Sequence, residues 1–433
     1  MLDIKLIREQ YEAVRENLER RNDPEKLALL ERLVEDDARW RELTGEVNAL
    51  RRRRNEISSE IAKVMQEGGD ASSLREEAGK IPKLIVDEET ERGLHGSKVR
   101  EALMRLPNLL HESVPYGVDD KDNVELRRWG EHPRFDFKPK SHTDIATSLG
   151  ILDLERAAKV SGSGFYYLRN EMALLDLAIM RYAIDHLLAK GYALIRPPYM
   201  IRRKPYEGVT DLGDFADVMY KVEDEDLYLI ATSEHAMGAM FMDEIINAED
   251  LPIKLVGVSP CFRKEIGTHG RYTKGMFRVH QFNKVEQFIF SLPEQSWALH
   301  EELQQNCEEL YQGLGLHYRV VNVCTGDIGS FAAKKYDVEI WMADGEYREV
   351  GSNSNCTDYQ ARRLNIRYRM KEGQTPAGFV HTLNNTALAT SRTMLALIEQ
   401  HQQEDGSVVL PEALRKYMNG MDRIEGALNP MKL

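Results

Sequence analysis

The residues best suited to chemistry on phosphates are two arginines, several carboxylates and one long basic loop. Phe262, Arg263, Lys264 and Glu265 precede a loop holding Gly267, Gly270 and Gly275, and a strand-like run follows over 277–290. Two strands joined by a glycine-rich, basic loop make a floor for a polyphosphate, because bare backbone and guanidinium forks can both approach it. An ordinary charged surface hairpin accounts for this segment equally well. Arg392 sits in a strongly apolar stretch that reads as a helix over 386–402. There it is a rim charge or half of a structural ion pair, unless it faces the same cavity as Arg263. Glu349 stands at a strand end beside Val350, Gly351 and Ser352, in a setting suited to Mg²⁺ or a nucleotide. Thr232, Ser233, Glu234 and Glu286 offer oxygen partners for the ammonium and hydroxyl of a small polar amino acid.

Two regions of different pattern must position these groups. Residues 1–106 read as helical. Trp40, Leu43, Val47, Leu50, Arg54, Ile57, Ile61 and Val64 recur at alternating intervals of three and four, a heptad seam interrupted once, at Arg54. Gly68, Gly69 and Asp70 end that helix, and a second charged helical stretch returns from about residue 72. The expected structure is an antiparallel helical hairpin with its tip near 66–71. Its first helix, 24–66, extends roughly 60 Å at 1.5 Å per residue and should protrude. Pro82 should kink or interrupt the return arm, whose seam turns polar at Glu88, Arg92 and His95. Arg51, Arg52, Arg53 and Arg54 form a basic run that by itself reads as a solvated helix face.

Residues 107–140, rich in Pro, Gly, Asp and Asn, read as a connector. Over 141–433 an amphipathic helix (171–190) leads into a short apolar strand ending at Pro197 and Pro198, and hairpin-connected strands follow at 254–258, 277–290, 317–323, 336–342 and 346–350. Helices over 293–313 and 386–402 punctuate them. This is an α+β pattern with an antiparallel sheet, not alternating βαβ units. Neither Gly-x-Gly-x-x-Gly nor Gly-x-x-x-x-Gly-Lys occurs, so a bound nucleotide meets neither a Rossmann fold nor a P-loop.

The bulk properties narrow the class further. A chain of 433 residues implies two or three domains, and no apolar run is long enough to span a membrane. The start carries Asp3 and lacks the apolar segment of a secretion signal. Four scattered cysteines suggest a cytosolic protein without disulfides, and neither their spacing nor nearby histidines suggest zinc. A net charge of −13 argues against nonspecific coating of nucleic acid but leaves room for a specific RNA.

The order of these segments decides between the readings. A strand ending in proline, then Phe262-Arg263-x-Glu265 with its loop and strand, then an arginine-bearing helix, resembles motifs 1, 2 and 3 of class II aminoacyl-tRNA synthetases. The wording is similar to that of seryl-tRNA synthetases at 232–234 (Thr-Ser-Glu), 262–265 (Phe-Arg-Lys-Glu), 280–286 (His-Gln-Phe-Asn-Lys-Val-Glu), 332–339 (Ala-Ala-Lys-Lys-Tyr-Asp-Val-Glu), 354–363 (Ser-Asn-Cys-Thr-Asp-Tyr-Gln-Ala-Arg-Arg) and 381–384 (His-Thr-Leu-Asn). The N-terminal start and the helical arm resemble the family as well, so the likeness covers essentially the whole chain.

The resemblance implies a helical arm followed by a class II catalytic domain with an antiparallel sheet flanked by helices, assembled as a homodimer. It implies ATP-dependent activation of L-serine and its transfer to tRNA(Ser), with tRNA(Sec) as a second candidate, Mg²⁺ accompanying ATP, and no zinc. Thr232, Ser233 and Glu234 would hold the substrate amine, while Glu286 and Thr386 would contact serine. Arg263, Lys264 and Glu265 would grip the α-phosphate and adenine, with Phe282 stacking on the base and Val279 contacting it through backbone. Glu349, Val350, Gly351 and Ser352 would meet Mg²⁺-ATP through Glu349 and Ser352, and Arg392 would meet the γ-phosphate. Arg263, Glu349 and Arg392 would carry the catalysis, and Arg51, Arg52, Arg53 and Arg54 would contact tRNA backbone. Gly351, Asn353 and Asn385 depart from the common family wording near the expected ATP and serine sites.

Overall fold

The computed structural model describes residues 1–211, 218–265 and 275–426. The loop glycines Gly267 and Gly270 lie outside the described residues. The chain divides into two compact units, Met1–Leu109 and Leu110–Leu433.

The first unit is helical. Short helices α1 (Ile4–Glu9) and α2 (Tyr11–Glu19) precede α3 (Pro24–Gln66) and α4 (Ser72–Arg105), which pair as an antiparallel hairpin turning at 67–71. Asp23 caps α3 by accepting from the amides of Glu25 and Lys26, with Pro24 at the first helical position, where a missing N–H costs nothing. Leu43, Val47 and Ile57 are buried in the seam, and Arg54 is exposed, as the interruption in the heptad pattern required. A buried carboxylate, Asp37, also occupies the core face of α3. Arg8 of α1 satisfies it at 2.6 Å and Arg41 at 3.1 Å, which ties the chain start to the hairpin.

The return arm differs from expectation, because α4 runs unbroken through Pro82. Proline there forfeits one backbone bond to residue 78. Ile81 and Ile85 on either side bury against Ile57 with Leu50, Ile61, Leu74 and Ala78 packed around them, and this packing outweighs local propensity. Gly96 has a specific role: a Cβ there would lie 3.1 Å from the Trp40 indole nitrogen. The expected polar layer is present, with His95 Nδ1 2.7 Å from Asp36 and Arg39 bonded to Glu91 at 3.0 Å.

The second unit is built on an eight-stranded sheet. Its strands are β1 (Val124–Trp129), β2 (Ala193–Ile195), β3 (Ile253–Phe262), β4 (Gln281–Ser291), β5 (Tyr318–Asn322), β6 (Lys334–Trp341), β7 (Tyr347–Asn355) and β8 (His381–Ala389), in the spatial order β1-β5-β6-β7-β8-β4-β3-β2. Every pairing is antiparallel except β2 with β3. β1 arises inside the stretch read as connector, where its exposed charges hid an edge strand. Helices α5 (Asn170–Ala189) and α7 (Ser296–Gly313) pack on one face. Asp176 of α5 accepts from Asn283 at 2.8 Å, and the Leu303 carbonyl of α7 accepts from Gln287 at 3.2 Å and Asn385 at 2.6 Å. The other face stays open, between the short helix α6 (Ser233–Gly238) and α8 (Thr390–Gln400).

One boundary expected from the sequence needs correction. Thr386 is not helical. It lies on β8 opposite Glu286 of β4, and the helix begins at Thr390. The run Ala387, Leu388, Ala389 is apolar without a period, so it could not separate a buried strand from a buried helix.

Candidate functional site

Strand alternation assembles the site. Phe282, Lys284 and Glu286 occupy alternate positions of β4 and share its open face, whereas Asn283 and Gln287 bond toward the helices. At the end of β3, Arg263 is held by paired backbone contacts: its amide donates to the His280 carbonyl at 3.0 Å, and its carbonyl lies 2.8 Å from His280 Nδ1. Its guanidinium sits 5.3 Å from the Phe282 ring centre, leaving a planar cation beside an aromatic face. Glu265 has a positive φ of 47° and pairs with Arg278 at 3.5 Å.

From the far side, β7 contributes Glu349 to Ser352 and α8 contributes Arg392. Arg392 Nη1 donates to the Glu349 carbonyl at 2.6 Å and lies 3.7 Å from its carboxylate, while its guanidinium covers Phe277 at 4.8 Å. Ser352 Oγ donates to Glu349 Oε1 at 3.2 Å. Two cavities result. A narrow slot of about 40 Å³ is lined by Arg263, Glu265, Phe277, Val279, Phe282, Val350, Gly351 and Arg392. A wider cleft of about 370 Å³ is lined by Thr232, Glu234, Glu286, Lys335 and Ser352. Arg263, Lys284, Glu349 and Thr386 line both, so they form the junction between them.

The wide cleft ends at α6. Thr232 caps this helix by accepting from the Glu234 amide at 3.2 Å, which fixes the direction of the Glu234 side chain. Glu234 Oε1 accepts from Gln360 at 3.2 Å and Asn384 at 3.1 Å. Burial, followed by the charge of Glu286, pushes Glu234 up to about 7. Neighbouring His235 is pushed down to about 3 by burial and by Lys284 and Arg263, so it stays neutral. Burial also pushes Glu349 up, but Arg392, Lys335 and Arg263 outweigh that effect and hold its carboxylate below its usual value.

Most sequence-derived candidates meet here, and two do not. Ser233 is fully buried: its Oγ would lie 2.9 Å from a Cβ at Gly257, and it lines neither cavity. The Lys264 side chain turns toward Tyr220, 5.9 Å from that ring, and also lines neither. The unusual residues separate. Asn353 and Asn385 are cross-strand partners on the helix-covered face, bonded to the carbonyls of His300 (2.9 Å) and Leu303 (2.6 Å) of α7. Gly351 does line the slot, and a Cβ there would lie 3.1 Å from Thr386 Cβ. Sequence reasoning overlooked Lys284, Gln360 and Asn384. The period of two along β4 was the available signal for Lys284, between Phe282 and Glu286.

Arg51, Arg52, Arg53 and Arg54 belong to the helical unit. Arg51 pairs with Glu89, and Arg53 with Glu77 at 2.8 Å and Glu60 at 3.2 Å. Arg52 and Arg54 are exposed, with no ion pair among the described residues.

A mostly antiparallel sheet with a single parallel edge strand, bearing an arginine from the hairpin and another from the following helix over one cleft, defines a class II aminoacyl-tRNA synthetase core. Residues 220–401 match the tRNA synthetase class II core domain family that serves glycine, histidine, proline, serine and threonine enzymes. Residues 1–110 match the seryl-tRNA synthetase N-terminal domain. A serine–tRNA ligase of Methanospirillum hungatei is 57% identical over 420 residues, covering 97% of this chain and 99% of that one. The crystal structure of seryl-tRNA synthetase from Pyrococcus horikoshii complexed with ATP superposes with a TM-score of 0.95 at 50% identity, covering 98% of this chain and 99% of the other. The cytoplasmic serine–tRNA ligase of Naegleria fowleri in complex with AMP gives 0.90 at 35% identity, covering 99% of each. The chain belongs to the seryl-tRNA synthetase family.

Proposed function

We infer that this chain is a serine–tRNA ligase: it activates L-serine with ATP to seryl-adenylate and transfers the seryl group to the 3′-terminal ribose of tRNA(Ser). The observation that carries this reading is the junction, where two cavities share a wall of Arg263, Lys284, Glu349 and Thr386. A serine in the cleft and an ATP lying along the residues that line the slot would then meet with the serine carboxylate against the α-phosphorus.

In that arrangement Glu234 takes the ammonium, with Thr232 fixing its position, and Glu286 with Thr386 takes the hydroxyl. Phe282 supports adenine, Val279 and Glu265 contact it from the slot wall, and Arg263 spans the junction to reach the α-phosphate. Arg392 neutralises the far end of the triphosphate. A carboxylate oxygen attacks the α-phosphorus in line, and the bond to the bridging oxygen breaks, so the electron pair leaves with pyrophosphate. No protein nucleophile is needed; the cations bring two anions together and hold them aligned. The ribose hydroxyl then attacks the acyl carbon of the mixed anhydride, and AMP leaves.

Mg²⁺ fits the residues present. Glu349 and Ser352 offer adjacent oxygen donors, and the carboxylate is held ionised. A hard cation that takes its remaining ligands from phosphate and water suits such a pair. Bound there, it would neutralise phosphate charge in the transition state. The reading includes residues 1–106 as a tRNA-binding arm and 141–433 as the catalytic domain, with the stretch 107–140 leading between them and adding β1 to the catalytic sheet, working as a cytoplasmic homodimer. Among the described residues no helix is long and apolar enough to cross a membrane.

The test is charging of total tRNA with labelled serine, alanine, threonine or cysteine, followed by purified tRNA(Ser) and tRNA(Sec). Charging with serine alone supports the reading. Serine adenylate formed without any tRNA product would point to another acceptor and refute the ligase assignment.

A further inference from the structure

We propose that Lys284 is the hydrogen-bond donor that reads the serine hydroxyl, paired with Glu286 as the acceptor. The inference rests on the reading of the wide cleft as the serine site and adds a residue and a logic to it.

The Lys284 side chain is buried, with a relative exposure of 7%, and its ammonium is ion-paired with Glu286, whose side chain is 1% exposed. Thr386 completes a triangle. Its Oγ1 lies 3.4 Å from Lys284 Nζ, positioned to accept, and donates to Glu286 Oε2 at 3.3 Å. A hydroxyl of this protein is thus already held between a fixed donor and a fixed acceptor. A serine hydroxyl entering the cleft beside it finds the same two groups, because an ammonium has three donors and a carboxylate about four acceptor sites.

The pair discriminates chemically. Alanine offers neither donor nor acceptor, so its methyl group leaves the remaining donor positions of the Lys284 ammonium and acceptor positions of the Glu286 carboxylate unbonded in a buried wall. Polar sites built to bond a hydroxyl reject analogues that lack one by large factors. A thiol is a weak donor and a weak acceptor, so cysteine loses both bonds at once. An isolated Glu286 would be a poorer reader, because it would attract any cationic side chain of serine's length. Lys284 cancels that charge and leaves Glu234 as the carboxylate free to meet the substrate ammonium.

The experiment is serine-dependent ATP–pyrophosphate exchange by the full-length enzyme carrying Lys284→Met or Lys284→Gln, with alanine as competitor. Lys284→Met should raise the serine KM by about 10²-fold and reduce the serine-over-alanine preference by a similar factor, with the ATP KM unchanged within about threefold. Lys284→Gln keeps a neutral donor and should fall between wild type and Lys284→Met. A second measurement does not depend on loss of activity: binding of sulfamoyl-adenosine analogues of serine and of 2,3-diaminopropionate. Wild type should reject the second, whose side-chain ammonium meets Lys284, and Lys284→Met should prefer it, a gain that misfolding cannot produce. A raised ATP KM with serine KM and preference unchanged would place Lys284 on phosphate and overturn the proposal, as would rejection of the diaminopropionyl analogue by both proteins. Absence of serine exchange in wild type would instead overturn the ligase reading on which it stands.

Discussion

Glu234 shows how a single carboxylate can couple substrate binding to pH. Burial and the Glu286 charge push it up to about 7 in the empty cleft, so below that pH it is largely protonated. A substrate ammonium needs the ionised form, and serine binding should therefore weaken as pH falls through 7. The serine KM in the exchange assay is expected to rise about tenfold between pH 8 and pH 6, with the ATP KM much less affected. Glu234→Gln should give a high serine KM that no longer varies over this range; a flat wild-type profile would contradict the role assigned to Glu234. At the same scale the unusual residues divide by strand face. Asn353 and Asn385 bond to α7 backbone and are structural, whereas Gly351 abuts Thr386, so the size of residue 351 bears directly on a residue assigned to serine.

At the scale of elements, the helical hairpin was legible because a heptad seam repeats over four turns and more, and repetition averages out local exceptions. Of the kink or interruption expected at Pro82, the interruption did not occur, because its penalty is local whereas the packing that outweighs it comes from α3. The four-arginine run could not be resolved by type. Arg51 and Arg53 reach across to glutamates of α4, and the ion pairs that occupy them depend on helix pairing rather than on spacing. Arg52 and Arg54 are the two with exposed, unpaired heads among the described residues. Replacing both by alanine should raise the tRNA KM about tenfold at low salt, less at high salt where the contacts are screened, and leave serine-dependent pyrophosphate exchange unchanged. Equal loss of exchange and charging would locate the defect in folding instead.

For the whole molecule, the exposed hydrophobics on α5 and its following strand matter most. Leu177 and Leu188 lie eleven residues apart, three helical turns along one face, and are 59% and 41% exposed; Leu194 on the edge strand β2 is 48% exposed. An apolar stripe beside an unpaired sheet edge suits a second copy of the chain, in line with the homodimer proposed. Leu177→Asp should shift the sedimentation coefficient toward that of a monomer and reduce exchange activity together. A wild-type protein that already sediments as a monomer would remove the homodimer from the reading.

What the sequence determined by itself was the order of parts: a seam of apolar residues for the arm, then strand, basic hairpin and arginine-bearing helix for the catalytic unit. These are properties of neighbours along the chain, and period and spacing record them. The tertiary structure alone decided which face each residue serves. Thr386 became a site residue by pairing with Glu286 a hundred positions away, Ser233 was withdrawn beneath β3, and Lys284 was brought to the wall shared by two cavities. Strand register and the packing of helices against the sheet set those outcomes, and a register shift of one residue would have turned Thr386 or Lys284 to the opposite face.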